Sequence, residues 1–527
     1  MAQAALQHPH RQSQREGFKR HRPEETVLYQ CIEAHWPEFR ERAEDAGGLP
    51  KFVVREFEEY LRCGRLEHGC LHLECRSCGH SQLVAFSCKR RGFCPSCLGR
   101  GMADTAVHLE QNVLPAVPIR HWICSLPWGL RALCGYDRVL CATLFYGDAP
   151  DGASLVSAFV LELSRSFKRR AKRRFGLDSV ADAHTGAVAA IQRTDSALRL
   201  NVHAHVLALD GVYVREREDG PLVFLPLPTP TSAEVADVAR RTAERIECIL
   251  RAHGRSLDPQ MQDDEPPALC LDQPGLAACY AAAAQGIALT GERAGQSTLR
   301  LVVSQDPRAE APAARDNNEP VAEVRGINVH ARRVVGGRDR PQIERLCRYV
   351  TRPPLAQERL ELRRDGRLEL TLKNIWRDGT RAIIFEPHDL LAHLVTAVPP
   401  PRFHLLRYFG VLSGHSALRS EVVPEPEDDP LQRRPPPAAG DQLVLLQSDD
   451  CRLPARRRWG WLLKHVFQAD LDSCIRCGGP MRWVEAATTP EAIARLMAKH
   501  GLAPRAPPTR QPPVAMQLEL PFTAEPR

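Results

Sequence analysis

Asn201-Val-His203-Ala-His205-Val-Leu-Ala-Leu-Asp210-Gly-Val-Tyr213 sets two histidines at strand spacing in an apolar run. Side chains two apart on a β-strand point to one face, so His203 and His205 present two imidazoles side by side. Val202, Val206 and Leu207 mark an interior strand that holds them rigidly. Two imidazoles so placed suit a divalent metal, with a third ligand from a neighbouring element. The competing reading is a pair of solvent-facing histidines on an amphipathic strand. Working outward, Gly186–Arg193 and Leu200–Val214 read as strands joined near Thr194–Ser196, and Pro221–Leu227 as a third. Arg120–Leu126 and Gly326–Val335 are also strand-like, and helices are expected over about 136–146, 153–174 and 233–252. This mixture predicts an α+β fold rather than a doubly wound parallel sheet.

Composition bounds the rest. A chain of 527 residues has room for three or four units, and 43% hydrophobic with 26% charged residues excludes a wholly disordered or collagen-like chain. The 18 cysteines, about 3% of the chain, are too sparse for a secreted disulfide scaffold. The first 22 residues are polar and basic without an apolar core, and no apolar run approaches the ~20 residues of a membrane span. A cytoplasmic protein with no membrane partner is therefore expected, in which paired cysteines suggest metal before disulfide.

Cys75-x-x-Cys78 and Cys94-x-x-Cys97, fifteen residues apart, have the spacing of a four-thiolate zinc ribbon holding structural Zn²⁺. Each pair forms a tight knuckle, and two knuckles complete a tetrahedron. Cys63, Cys70, His72 and Cys88 read either as a second site or as buried thiols. Cys474-Ile-Arg-Cys477-Gly-Gly is a further knuckle, a possible zinc half-site that needs partners from His465, Cys451, another domain or another subunit.

Glu344-Arg-Leu-Cys-Arg-Tyr349-Val-Thr-Arg352-Pro-Pro reads as a basic helix carrying one tyrosine and stopped by its prolines. A His-x-His strand with a tyrosine on a later helix resembles the HUH endonucleases. That resemblance implies a metal that polarises a scissile phosphate, and a tyrosine that attacks it to leave a covalent 5′-phosphotyrosine and a free 3′-hydroxyl. Free tyrosine has a pKa near ~10, so a nucleophilic one needs positive charge nearby. Arg348, Arg352 and the metal are the expected sources. Alone, Tyr349 reads as an ordinary half-buried aromatic.

The resemblance sharpens over most of the chain. Phe86-Ser-Cys-Lys-Arg-Arg-Gly-Phe-Cys-Pro-Ser-Cys, Leu200-Asn-Val-His-Ala-His, Leu207-Ala-Leu-Asp-Gly-Val-Tyr, Arg345-Leu-Cys-Arg-Tyr-Val-Thr-Arg-Pro-Pro-Leu-Ala, Trp376-Arg-Asp-Gly-Thr and Pro401-Arg-Phe-His-Leu-Leu-Arg-Tyr-Phe-Gly-Val-Leu follow one another in order. In these segments the chain resembles the rolling-circle transposases of the bacterial insertion sequence 91 family. The resemblance implies an N-terminal zinc-binding domain, a central HUH-nuclease fold of antiparallel sheet with flanking helices, Mg²⁺ or Mn²⁺ as catalytic ion, and single-stranded element ends as DNA partner. It places His203 and His205 on the metal-binding pair and Tyr349 on the nucleophile. Some members carry a second tyrosine four residues earlier, where this chain has Arg345. The second cleavage then falls to Tyr349 again or to a second subunit in a homodimer. His330 and Gln192 are the candidates for a third metal ligand. Two other readings stand beside this one. A plasmid replication initiator or relaxase shares the core, but the upstream ribbon and the lack of a GxxxxGK[ST] motif favour transposition. The other is a non-catalytic zinc-dependent DNA-binding protein.

Charge concentrates where DNA is expected. Seven cations fall within Arg165–Arg174, including Lys168, Arg169, Arg170, Lys172, Arg173 and Arg174, and Lys89, Arg90 and Arg91 interleave with the cysteines. Such density is relieved by phosphates, whose counterions leave on binding. Arg456-Arg-Arg-Trp-Gly-Trp461 adds two indoles that stack on bases or pack into a core. The expected organisation is a basic tail (1–22), a helical and zinc-ribbon DNA-binding domain (23–115), a nuclease domain (116–422) with an insertion at about 254–320, a linker (423–441), a small C-terminal domain with the CxxC knuckle (442–502) and a Pro-rich tail (503–527).

Overall fold

The strand bearing His203 and His205 lies inside a sheet because both of its faces are covered. In the computed structural model, which describes residues 22–127, 130, 154–217, 220–252, 254–258, 272–303, 320–401, 403–424 and 473–503, the chain divides into two units. The helix expected near 136–146, most of both linkers, the Arg456–Trp461 cluster, Cys451, His465 and the Pro-rich tail lie outside the described residues.

The larger unit comprises Glu25–Leu61 and Lys89–Pro426 in its described parts. Numbered in chain order, its helices are α1 (Val27–Asp45), α2 (Lys51–Arg62), α3 (Pro95–Asn112), α4 (Leu155–Phe175), α5 (Ser232–Arg251), α6 (Pro274–Gln285), α7 (Arg340–Val350), α8 (Pro387–Ala397) and the short α9 (Arg419–Val422). In the smaller unit β1 (Cys70–Cys75) and β2 (Ser81–Ala85) come first, and the larger unit continues with β3 (Ile119–Ser125), β4 (Gly186–Thr194), β5 (Leu200–Leu209), β6 (Gly211–Arg215) and β7 (Leu222–Pro226). After these come β8 (Leu299–Val302), β9 (Val321–Val324), β10 (Ile327–Val335), β11 (Leu360–Leu362), β12 (Leu368–Thr371), β13 (Thr380–Phe385) and β14 (Leu406–Gly410).

Six strands form the central sheet in the order β14-β4-β5-β3-β10-β9, every neighbouring pair antiparallel. A four-stranded sheet, β11-β12-β13-β8, and the hairpin β6-β7 complete the unit. Alternation along β5 sorts its side chains. Val206 pairs with Trp122, whose indole meets Phe159 and Phe167 of α4 on one face. Leu207 points the other way, into a core shared with Val188, Ile119, Leu109 of α3 and Ile343, Leu346 and Val350 of α7. Helices therefore cover both faces, and apolar residues run almost unbroken along the strand.

Local chemistry sets the ends of these elements. Ser154 and Ser157 form a capping box at the start of α4, and Gly176 ends that helix at φ 68°. Thr231 and Glu234 do the same for α5. The sequence reading made Leu200–Val214 one strand, but the structure breaks it at Asp210. That carboxylate takes both forks of the buried Arg120 guanidinium, at 2.8 and 2.7 Å. Arg120 also donates to the Ala331 carbonyl at 3.0 Å, so one side chain on β3 joins the end of β5 to β10. Asp210→Ala strands a buried cation and is expected to destabilise the unit by roughly 3–5 kcal/mol. Urea unfolding followed by tryptophan fluorescence measures this, and a loss below ~1 kcal/mol would contradict the assignment.

The smaller unit draws its described residues from Arg62–Cys88 and 473–503. Its sheet has the order β15-β1-β2, where β15 is Met481–Ala487, and α10 (Pro490–Lys499) packs beside it. Leu66, Cys70, Leu83, Ala487, Ile493, Leu496 and Met497 form its core. This corrects the expected division of the chain. The C-terminal knuckle is not a domain of its own, because β15 pairs antiparallel with β1 from Cys70↔Ala487 to Cys75↔Met481.

Candidate active site and cysteine cluster

On β5, His203 stands opposite Ser125 of β3 and Gln192 of β4, while His205 stands opposite Ile123 and Ala190. Both histidines thus share one face, as the alternation predicts. The Nδ1 of His203 lies 2.6 Å from the Asn201 carbonyl and donates to it, which fixes Nδ1 as the protonated ring nitrogen. His205 Nδ1 lies 2.9 Å from Nε2 of His121, and His205 Nε2 is buried with no hydrogen-bond partner among the described residues. An imidazole whose outer nitrogen is held and whose inner nitrogen is buried without a partner has the arrangement of a metal ligand. Burial, then the charges of His203, His121, Arg352 and Lys373, hold His205 well below the usual histidine range. Burial, then Arg333 and His203, hold His121 at about 4. Both imidazoles are therefore neutral at pH 7, the form that binds metal.

Helix α7 brings the tyrosine to them. Asp339 caps it by accepting from the Gln342 N–H, and its apolar stripe Ile343, Leu346, Cys347 and Val350 is buried in the core. The Tyr349 ring then lies with its centroid 5.9 Å from His121 and 5.7 Å from His205. Gln192 Nε2 donates to the Val350 carbonyl at 2.9 Å and ties β4 to the end of the helix.

Positive charge over the ring comes from Arg352, 4.6 Å from its centroid, and from Lys373 at 4.4 Å. Arg348, expected to share that task, is paired with Glu344 at 2.7 Å, one turn earlier on its own helix. Burial, then the neighbouring Arg352, Arg359 and Arg333, lower the Lys373 ammonium from its ordinary value. Sequence reasoning missed His121 and Lys373. A lone histidine in the Arg120–Leu126 strand has no x-His repeat to mark it, and no spacing rule links the β12–β13 connection to α7.

Of the two third-ligand candidates, Gln192 is directly across the ladder from His203. His330 pairs with Ile123 on the far side of β3, two strand spacings or roughly 10 Å from His205. No third histidine, cysteine or carboxylate joins His203 and His205 in a close group among the described residues.

The cysteines regroup. Cys75, Cys78, Cys474 and Cys477 bring their thiols within 4.8 Å of one another, with Sγ–Sγ distances of 3.4 Å for Cys75–Cys477 and 3.6 Å for Cys78–Cys474. Four thiolates around one zinc, with Zn–S bonds near ~2.3 Å, stand about 3.8 Å apart, so the set fits that ion. The two knuckles match. Gly79 and Gly478 take φ of 69° and 72°, and their N–H groups return to the carbonyls of Cys75 and Cys474. Backbone N–H groups of Ser77, Arg476 and Gly479 point at the sulfurs of Cys75, Cys474 and Cys477, each at 3.4 Å. The ribbon expected from spacing, Cys75 and Cys78 with Cys94 and Cys97, is therefore corrected: antiparallel pairing of β15 on β1 supplies the second knuckle from the far end of the sequence. Cys94 and Cys97 belong to the larger unit, Cys94 as the residue before α3 and Cys97 in its first turn. In the smaller unit the Cys88 N–H donates to the Cys63 sulfur at 3.3 Å.

The basic run on α4 meets acids that the local sequence does not show. Arg169 pairs with Asp237 at 3.1 Å, while Arg170 and Arg173 both pair with Glu234 of α5, at 3.1 and 3.0 Å. Arg165 pairs with Glu162 of its own helix at 2.8 Å and Lys172 donates to the Asp178 carbonyl at 2.6 Å, which leaves Lys168 and Arg174 outside these pairs. Arg170 is buried and structural. Arg90 reaches Glu59 at 3.5 Å, Arg91 donates to the Phe403 carbonyl at 2.8 Å, and Lys89 sits at φ 53°.

Residues 186–419, which hold His203, His205 and Tyr349, match the family described as "Putative transposase". Residues 31–126 match the transposase zinc-binding domain of insertion sequence 91 elements, a span that takes in Cys63, Cys75, Cys78, Cys88, Cys94 and Cys97. In these two segments the chain is similar to IS91-family transposases with an N-terminal zinc-binding domain. A curated relative, the transposase for insertion sequence element IS801 of Pseudomonas savastanoi pv. phaseolicola, is 34% identical over 103 residues. That stretch is 19% of this chain and 25% of the relative, so the chain spans only a quarter of the protein it matches. No solved structure matches. No helix among the described residues is long and apolar enough to cross a membrane.

Two outcomes test these sites. Cys474→Ser should lower the zinc content of purified protein by about one ion per chain, read by elemental analysis; unchanged zinc would mean that the thiols are only packed. The folded-state value of about 4 for His121, against an ordinary 6.5, means the unfolded chain takes up a proton that the folded one refuses. Stability present above pH 6.5 is thus lost as pH falls towards 4, by up to about 1.4 kcal/mol per pH unit. His121→Gln should flatten the pH dependence of the urea midpoint over that window, and an unaltered slope would refute the assignment.

Proposed function

We propose that this protein nicks and rejoins single-stranded DNA at the ends of an insertion element through a 5′-phosphotyrosine on Tyr349, an HUH-type reaction that drives rolling-circle transposition. The observation that carries this reading is the placement of the Tyr349 ring 5.7 Å from His205, under Arg352 and Lys373, within the segment matching the transposase family.

His203 and His205 are the ligands of a divalent ion, Mg²⁺ or Mn²⁺, with Gln192 as the better placed third ligand and His330 as the other candidate. Gln192 spends its amide N–H on Val350, so its carbonyl oxygen is the atom available. Bound there, the ion supplies Lewis-acid polarisation of a phosphate oxygen. His121 positions His205 by holding its outer nitrogen. Arg352 and Lys373, 4.6 and 4.4 Å from the centre of the Tyr349 ring, lie where charge develops on the phosphate. The phenolate oxygen forms a bond to phosphorus and the P–O3′ bond breaks. The 3′-oxygen leaves and takes up a proton, and the 5′ strand stays on the enzyme until a 3′-hydroxyl attacks in the reverse sense. With Arg345 where a second tyrosine would stand, the second cleavage reuses Tyr349 or draws on a second subunit.

Lys168 and Arg174 of α4, with Lys89, Arg90, Arg91, Arg169, Arg170, Lys172 and Arg173, are the proposed DNA-facing charges. Arg170 acts there indirectly, since it is buried. Surface ion pairs such as Arg169–Asp237 are worth little in water and exchange readily for phosphates. A cytoplasmic location fits this substrate and the reduced thiols.

Tyr349→Phe should still bind a single-stranded end but form no covalent adduct in the presence of Mn²⁺, as seen on a denaturing gel; an adduct in that variant would remove Tyr349 from the role. Lys373→Met should slow adduct formation by roughly 10²-fold with little change in DNA affinity. Mapping the cleaved strand to an element end, rather than to a plasmid origin, separates transposition from replication initiation.

A further inference from the structure

A second cluster of donor side chains lies in the larger unit, outside both the active site and the cysteines. His35 and Glu38 are three residues apart on α1 and so share a face of that helix. His388 sits in the first turn of α8, which packs against α1. One ligand atom from each of the three lies within 4.8 Å of the other two. The His35 and His388 rings meet edge to face at 5.7 Å, and the Phe39 ring backs His388 at 5.9 Å.

Two details separate this group from a chance polar contact. His388 Nε2 is buried and has no hydrogen-bond partner among the described residues, although a carboxylate stands beside it. The gap to Glu38 Oε2 is 3.7 Å, too long for a hydrogen bond. It is close to the roughly 3.3 Å that separates two ligands of one tetrahedral ion with bonds near ~2.0–2.1 Å. The other carboxylate oxygen of Glu38 is held by Arg42 at 2.5 Å, which leaves Oε2 turned towards the histidines.

We propose that His35, Glu38 and His388 bind a transition-metal ion, zinc by the nature of the donors, as a brace between α1 and α8. Two imidazoles and one carboxylate are a protein donor set that zinc commonly takes. A fourth position falls to water. The brace has a recipient in the fold, because α8 is fastened to the β4–β5 hairpin. His393 Nδ1 donates to the Leu198 carbonyl at 3.0 Å, and Arg193 donates to the Thr396 carbonyl at 2.9 Å. Fixing α1 to α8 therefore steadies the support of the hairpin that carries His203 and His205. The proposal does not depend on the reaction assigned to those histidines.

The test uses the full chain and zinc alone. Protein purified with zinc and exchanged into metal-free buffer is analysed for zinc per chain, as wild type, His35→Gln/His388→Gln and Glu38→Gln. Both variants should carry about one zinc fewer than wild type, and each should weaken zinc binding at this site by roughly 10²-fold or more. Zinc content equal to wild type in correctly folded variants overturns the proposal. Should the double variant fail to fold, Glu38→Gln decides alone. As an independent readout, Co²⁺ is loaded into a Cys474→Ser/Cys477→Ser protein. A Co²⁺ spectrum that loses a nitrogen- and oxygen-ligated component of about one ion per chain on adding His388→Gln supports the site, and a spectrum unchanged by His388→Gln overturns it.

Discussion

Arg120 and Asp210 form a bidentate ion pair with almost no contact with water, and the geometry of the active site depends on it. Taking two charges out of water is costly, and the cost is met only if every fork of the guanidinium finds an acceptor. Here the two Asp210 oxygens and the Ala331 carbonyl provide them. The pair therefore tolerates one register of β3 against β5 and β10. A slip by one residue would strand both charges and would turn His121, the next residue on β3, to the opposite face. That register sets His121 against His205, and so fixes which nitrogen of His205 meets the His121 ring.

Much of this was legible in the sequence because it rests on local periodicity. The period of two along residues 200–207 located the histidine strand and their shared face, and the proline pair after Arg352 marked the end of the tyrosine helix. What was not legible depends on pairing between distant segments. Cys75 and Cys78 have two CxxC suitors at acceptable spacing, and only the β1–β15 ladder selects Cys474 and Cys477. The acids that face the α4 cations lie on α5, more than sixty residues away, so the charge run looked more naked than it is. Lys373 and His121 reach Tyr349 from two other elements, and neither carries a local mark.

Around the tyrosine the electrostatic design is one-sided. Arg352 and Lys373 lie over the ring and Arg333 and Arg359 stand behind them, while the two buried imidazoles are kept neutral. Glu344, the acid on the same helix, is occupied by Arg348. A site so arranged favours polyanions over cations bound only by charge.

The sheet β15-β1-β2 also imposes an order of assembly. Its central strand, β1, leaves the ribosome early, but one of its two partners and half of the four-thiol set come from residues 474–487. Chains are made from the amino terminus, and domains generally fold as units. Until residues 474–487 are made, β1 keeps one edge unpaired and the Cys75–Cys78 knuckle lacks its counterpart. The smaller unit is thus a folding event deferred until residues 474–487 have been made, about 400 residues after β1, and a product broken off before them is left without it.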